Sequence, residues 1–245
     1  VYIEMLRSQV VDAAVEAFDN LADAHLDWWQ GTSPNNDDDK ETDDPNLFVL
    51  RATRPDATPV FTMTRWPGHP TAFGSGNNGL SSDWIGPFRL RMEAAFGGVS
   101  VFLNGPIGSV YPNRDACEAT DAFPDGWHDP DLSADNFMTV TCCGYRVADN
   151  AIAAAVGAAP VAETGIKARY TRFSFHPENG ALMLMAQAGP LPFQYVDVGD
   201  PKALMDSHFS WITIGDLDYL TTPGETFPTF AKRAADRIVA AGAQH

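Results

Sequence analysis

Hydrophobic positions near both ends of the chain follow helical spacing. In residues 2–26 the apolar side chains recur every three or four positions, at Ile3, Leu6, Val10, Ala13, Ala17 and Leu21. This spacing places them on one face of an α-helix. Residues 226–242 repeat the pattern and end at Gly242, a residue type that commonly follows a helix. Residues 81–97 and 142–159 are further predicted helices, the first with Ser81, Ser82 and Asp83 as candidate N-caps.

Short runs rich in β-branched and aromatic residues lie between the helical stretches. "NLFVLRAT" (46–53) and "TPVFTMTRW" (58–66) are joined by "RPDA" and predict an antiparallel hairpin. The other predicted strands are "LDWWQG", "VSVFLNG", "IKARYTRFSFHP", "ALMLMAQA" and "FSWITIGDLDYL", the last turning at Gly215. Residues 112–136 are predicted to be a loop. Strands and helices alternate without a repeat, so the sequence predicts a single α/β domain with mixed β-sheets flanked by helices.

The charge of the chain limits its partners. A net charge of −16 argues against nucleic acid, because binding phosphates requires clustered lysine and arginine. Acidic residues crowd into "PNNDDDKETDDP", residues 34–45, which we predict to be an acidic surface loop. Their spacing does not match the calcium-binding loop of twelve residues with a central glycine and a terminal glutamate. No apolar run approaches the roughly 18 residues that a transmembrane helix needs, so none is predicted.

The three cysteines are Cys117, Cys142 and Cys143. They form no CxxC pair, which excludes a structural zinc ribbon. Cys117 could form a disulfide with either of the other two, and one thiol would then remain.

Three loops present polar groups next to predicted strands. His69 in "WPGHPT" and Glu225 in "TTPGETFP" are each held between proline and glycine, and a rigid loop at a strand end is a favourable place for a functional side chain. In the third loop, "NGPIGSVYPN", glycines would let backbone N–H groups approach an anion or a polarised carbonyl, with Asn104, Gly105 and Gly108 as candidates. Taken singly, each loop could equally be an ordinary turn with surface side chains.

Taken in order, these loops resemble those of the neutral/alkaline, non-lysosomal ceramidase family. The matching segments are "PVFTMTRWPGHPTAFG", "SSDWIGPFRLRMEAAFGGVSVFLNGPIGSVYPN" and "ITIGDLDYLTTPGETFPTFAKRAADRI". The resemblance covers most of the chain and is loosest between residues 112 and 165. It implies that residues 1–245 are the central portion of a ceramidase-like catalytic domain, incomplete at both ends.

The resemblance implies a zinc-dependent hydrolase of amide bonds, with an N-acyl amide or related lipid as substrate. It implies that His69 and Glu225 are zinc ligands, and that zinc polarises the amide carbonyl and lowers the pKa of bound water toward 7. The family's other two ligands, a histidine in an upstream "HTHSGP"-like stretch and a tyrosine downstream, have no counterpart here. A companion polypeptide or missing segment is therefore expected to supply them.

The resemblance also bears on the nucleophile and the compartment. Where the family has a serine beside the proline of the third loop, this chain has Tyr111, and Ser109 lies two residues earlier. Both are candidate catalytic residues. The family favours a secreted or periplasmic location. The alternative is a non-catalytic ceramidase-like subunit that acts in binding or assembly.

Overall fold

Helices and strands alternate along the chain, as the sequence predicts. The computed structural model describes residues 2–38, 44–74, 79–114, 117, 134–162, 165–176, 178–188, 195–196 and 204–240. The helices are α1 (Tyr2–Asp19), α2 (Ile85–Phe96), α3 (Ala134–Ala154), α4 (Gly180–Ala188) and α5 (Pro228–Ala240). The strands are β1 (His25–Thr32), β2 (Asn35–Asp37), β3 (Asn46–Thr53), β4 (Pro59–Trp66), β5 (Val99–Asn104), β6 (Val110–Pro112), β7 (Ala159–Pro160), β8 (Ile166–Phe175), β9 (Tyr195–Val196), β10 (Leu204–Ile214) and β11 (Leu217–Thr221).

The main sheet has the strand order β5-β4-β3-β1-β7. β3 pairs antiparallel with β4, which confirms the predicted hairpin. β4 and β5 are parallel, with Phe61 opposite Val99 and Trp66 opposite Asn104. Parallel neighbours need a crossover connection, and α2 lies in it. As a result, the loops that follow β4 and β5 leave from the same edge of the sheet.

The core lies between one face of this sheet and helices α2 and α3. Trp29 and Trp66 are almost completely buried, and each indole N–H is satisfied: Trp29 Nε1 donates to Ala151 O at 2.9 Å and Trp66 Nε1 to Ser33 O at 3.0 Å. A Cβ at position 144 would overlap the carbonyl oxygen of Trp84, so glycine lets α3 pack closely against the start of α2.

Two smaller sheets complete the fold. One has the order β11-β10-β8, with β9 beside β10, and it contains the predicted hairpin around Gly215. The other consists of β2 and β6, in which Asn36 lies opposite Tyr111. This short pairing fixes the third loop against the chain that follows β1.

Several predictions about elements were wrong. "ALMLMAQA" forms α4 and not a strand; Asn179 Oδ1 accepts a hydrogen bond from Ala181 N at 3.0 Å, a capping contact that favours a helix start. α1 ends at Asp19, earlier than predicted. α3 begins at Ala134, inside the predicted loop 112–136, most of which lies outside the described residues.

The predicted acidic surface loop, 34–45, is partly a strand. Asn35–Asp37 forms β2 because it pairs with β6, a tertiary contact that the local composition does not reveal. Asp44 is also less solvated than expected: its Oδ2 lies 3.0 Å from Arg65 Nη2, and its side chain is 15% exposed. Residues 39–43 lie outside the described part.

The cysteines adopt one of the two pairings left open by the sequence. Cys117 and Cys142 form a disulfide, and Cys143 is a buried free thiol. Burial raises the pKa of the Cys143 thiol to about 11.

The surface includes apolar side chains without cover among the described residues. No residue of α1 is buried, and Val10 and Phe18 are 61% and 72% exposed. The other face of the main sheet exposes Val99, Val101 and Leu103. None of the helices in the described ranges is both long and apolar enough to cross a membrane.

Candidate functional site

The histidine loop starts where β4 ends, and its backbone is held on both sides. His69 N donates to Val110 O at 2.9 Å, and His69 O accepts from Trp84 Nε1 at 2.9 Å. The imidazole is 15% exposed. Because the Val110 contact comes from β6 and the Trp84 contact from the start of α2, two separate elements fix the position of this histidine.

Asp83 ties the same loop to α2. Its carboxylate accepts hydrogen bonds from Ala72 N at 3.0 Å, Phe73 N at 3.1 Å and Trp84 N at 2.7 Å. The residue is 8% exposed and has a φ of 52°, in the left-handed region. The N-cap of α2 is Trp84 and makes no side-chain capping bond. Sequence reasoning considered Asp83 only as a candidate N-cap and missed this role.

Glu225 reaches the histidine from the loop that follows β11. His69 Nε2 and Glu225 Oε2 are 3.3 Å apart, and the Glu225 side chain is 67% exposed. Gly108 brings the third loop to the same place, since its N–H donates to Thr226 O at 3.1 Å. A Cβ at position 108 would lie 3.1 Å from Glu225 O and 3.0 Å from Phe227 Cγ, so glycine permits this close packing.

The third loop adds an aromatic ring to the pair. The Tyr111 ring stacks on the His69 imidazole, with centroids 5.5 Å apart and an interplanar angle of 28°. Ser109 lies two residues earlier with a φ of 65°, and its carbonyl accepts from Asp38 N at 3.0 Å. The three loops that the sequence singled out therefore meet, although they are far apart in the chain.

The backbone amides predicted for oxyanion binding are occupied. Gly105 N donates to Trp66 O at 3.1 Å, and Gly108 N donates to Thr226 O. Neither N–H is free for a substrate oxygen in this arrangement. Asn104 is exposed at the end of β5.

His69 and Glu225 are the side chains that could hold a metal together. Within the described ranges no group of three or more histidine, cysteine, aspartate or glutamate side chains could do so. His25, His176 and His208 are exposed and join no such group, while His128 and His245 lie outside the described ranges.

These observations define a mixed α/β fold in which loops at strand ends bring together a histidine, a glutamate and a tyrosine. The same fold occurs in solved ceramidases. Neutral ceramidase from Pseudomonas aeruginosa superposes with a TM-score of 0.65 over 96% of this chain, at 18% sequence identity. Ceramidase complexed with C2 gives a TM-score of 0.63 over 94% of this chain, at 16% identity.

The structural similarity extends over nearly all of this chain but over less than half of the length of each ceramidase chain. The chain spans 46% of the length of each ceramidase chain. No family model and no curated protein matches the sequence. At these identities the likeness establishes the fold, and the predicted ceramidase-like fold is confirmed.

Proposed function

We propose that this chain is part of a zinc-dependent amide hydrolase of the ceramidase type. In this proposal His69 and Glu225 are two of the zinc ligands, and a companion polypeptide or further segment supplies the others. The substrate is an N-acyl amide or a related lipid. The shared fold supports the class of enzyme, and the meeting of His69 with Glu225 supports the site.

The distance between the two candidate ligands carries the proposal. Ligand atoms placed about 2.0–2.1 Å from a tetrahedral zinc ion are roughly 3.3 Å apart. The observed separation of His69 Nε2 and Glu225 Oε2 is 3.3 Å. A zinc ion bound here would supply Lewis-acid polarisation of a carbonyl and activation of water near neutral pH.

The remaining residues would position the substrate beside this pair. Tyr111 is the better placed of the two candidate catalytic residues, because its ring already lies against His69. Its hydroxyl could donate a hydrogen bond to the substrate carbonyl or leaving group. Ser109 is the second candidate, on the turn that precedes β6.

Elemental analysis of the protein purified from its native host, together with any associated polypeptides, tests the proposal. We expect about one zinc per copy and loss of N-acyl amide hydrolysis on chelation. His69→Ala and Glu225→Ala should each reduce zinc affinity by more than about 100-fold, since even outer-shell changes cost 10–100-fold. His208→Ala, on the exposed face of β10, is the matched control. A preparation without zinc, with activity unaffected by chelators, would rule the proposal out.

A non-catalytic subunit for binding or assembly is the second candidate. It is favoured by the pairing of only two candidate ligands within the described ranges, and by Tyr111 at the position of the family's serine. If His69→Ala and Glu225→Ala both keep the full function of the native assembly, the enzyme hypothesis fails and the second candidate is favoured.

A further inference from the structure

An open groove of about 810 Å³ adjoins the proposed site. Tyr111 and Pro70 line it, and these residues also flank His69. Its volume falls within the range of sites for small organic ligands, roughly 300–1,000 Å³. A molecule in this groove would therefore contact the Tyr111 ring that stacks on His69.

Arg114 also lines the groove. Arg114 Nε is fully buried and has no hydrogen-bond acceptor. No ion pair or side-chain hydrogen bond of Arg114 is found in the described part of the chain. Buried donors are nearly always paired, because an unpaired one costs about 1–3 kcal/mol. Nε is out of reach of a ligand, but Arg114 as a whole is only partly buried, so its terminal nitrogens can meet an acceptor from outside the chain.

The described acidic residues of the groove, Asp83 and Asp38, do not serve as acceptors for Arg114. Both oxygens of Asp83 accept backbone N–H groups of Ala72, Phe73 and Trp84. Asp38 is exposed and forms no ion pair with Arg114 in the described part of the chain. Among the described residues, the groove therefore holds one arginine, Arg114, and two carboxylates, Asp83 and Asp38, neither of which is paired with it. The two carboxylates would repel a dianionic phosphate more strongly than a ligand with a single negative charge, so the groove favours the latter.

From this geometry we infer that Arg114 binds a carboxylate of the substrate, so that the preferred substrates are N-acyl amino acids and not neutral amides. The inference rests on the proposed amide hydrolase function. A planar carboxylate matches the two parallel N–H donors of a guanidinium. The backbone from Tyr111 to Arg114 spans at most about 10 Å, so both side chains can contact one small molecule.

The reaction follows from amide chemistry. The C–N bond of the N-acyl amino acid breaks, and a C–O bond forms with the oxygen of water. Both protons of that water end on the departing amino group at neutral pH. The products are a fatty acid and a free amino acid whose carboxylate stays paired with Arg114 until release.

A matched pair of probes tests the inference on the natively purified protein. N-dodecanoylglycine carries the carboxylate, and N-dodecanoylglycinamide has the same shape without the charge. Binding is measured separately with ketone isosteres of both, in which a CH2 group replaces the N–H of the acyl amide, so that the bond the proposed enzyme would cleave is absent. We expect the acid isostere to bind at least about tenfold more tightly than the amide isostere, the equivalent of one charged pair.

Variants attribute the difference to Arg114. Arg114→Gln should remove the tenfold preference, and Arg114→Lys should keep part of it. Arg91→Gln is the matched control, because it removes an equal charge from a half-buried arginine on α2 that pairs with Asp149. Arg114→Lys keeps the test decisive if the glutamine variant does not fold.

The possible results separate this inference from the proposed function. A preference that depends on Arg114 in the binding assay, without hydrolysis of either probe, supports the carboxylate site and contradicts the amidase. Equal hydrolysis of both probes, unchanged in Arg114→Gln, supports the amidase and overturns the carboxylate site. Competition by inorganic phosphate that is stronger than competition by acetate would also overturn it.

Discussion

The hydrogen bonds of Asp83 allow a quantitative prediction about the histidine loop. Asp83→Asn keeps an oxygen that can serve Ala72 N and Trp84 N, but it turns an NH2 group toward Phe73 N. One bond to a carboxylate is lost, and two donors face each other. Since such bonds contribute about 1.5–3 kcal/mol, we expect the free energy of unfolding to fall by about 2–3 kcal/mol.

Asp83→Ala removes both acceptor oxygens and all three hydrogen bonds at once. The contributions are not additive, and water from the adjoining groove can reach some of the freed N–H groups. We therefore expect a loss of about 3–5 kcal/mol, at the upper end for single substitutions. Asp236→Asn is the control, because Asp236 forms an exposed i,i+4 pair with Lys232, a type that contributes about 0.3–0.5 kcal/mol.

Urea unfolding followed by tryptophan fluorescence is the assay, because Trp84 lies at the centre of these contacts. With a slope of about 1–3 kcal/mol per molar urea, the asparagine variant should lower the unfolding midpoint by about 0.7–3 M. If the proposed zinc site exists, the zinc content of the natively purified protein should fall in the same order, with the alanine variant lowest. If the urea midpoints of both Asp83 variants lie within about 0.5 M of the wild-type midpoint, Asp83 does not hold the histidine loop against α2 as described.

Other predictions concern the glycine contact, the buried thiol and a buried hydroxyl. Gly108→Ala should push the Glu225 loop away and weaken binding at the proposed zinc site more than it lowers the free energy of unfolding. Gly157→Ala, with open space around the residue, should change neither quantity, and equal effects of the two substitutions would contradict the prediction. The pKa of Cys143 is raised to about 11, above roughly 8.5 for a free thiol, so its contribution to stability is complete below pH 8.5 and is lost as the pH rises toward 11. Between pH 8 and 10 the free energy of unfolding from urea titrations should fall by about 1–2 kcal/mol more for the wild type than for Cys143→Ala. If the two proteins show the same dependence of this free energy on pH, the prediction is disproved. Thr64→Val should stabilise the protein by about 1 kcal/mol, because Thr64 Oγ1 is buried without a partner in the described part of the chain, whereas Thr213→Val should destabilise it, because Thr213 donates to Asp218; thermal unfolding distinguishes the two signs.

The elements that the sequence predicted well are those with a clear local pattern. The hairpin of β3 and β4 alternates buried and exposed positions, and a turn rich in proline and aspartate joins its strands. Residues 181–188 were misassigned because a short apolar run has no periodicity that separates a strand from a helix. β2 and β6 have three residues each and exist because they pair with one another, which no local pattern reveals.

The residues of the candidate site also differ in whether a local sequence pattern reveals them. His69 and Glu225 stood out because proline and glycine hold them after strands, and the structure brings them together. The role of Asp83 in holding the histidine loop could not be predicted, because the backbone N–H groups that it accepts come largely from a loop that folds back onto it. No sequence pattern pointed to Arg114, because whether an arginine has a partner depends on the residues that the fold brings near it.

The long separation of His69 and Glu225 along the chain has a consequence for biosynthesis. About 150 residues lie between them, which a ribosome adds in roughly 8–30 seconds at 5–20 residues per second. During that interval β3, β4 and the histidine have been synthesised but Glu225, their carboxylate partner, has not. Any ion that needs both side chains is therefore acquired after synthesis of this region is finished, and the supply of metal in the compartment where the chain matures would decide how much of the protein becomes loaded.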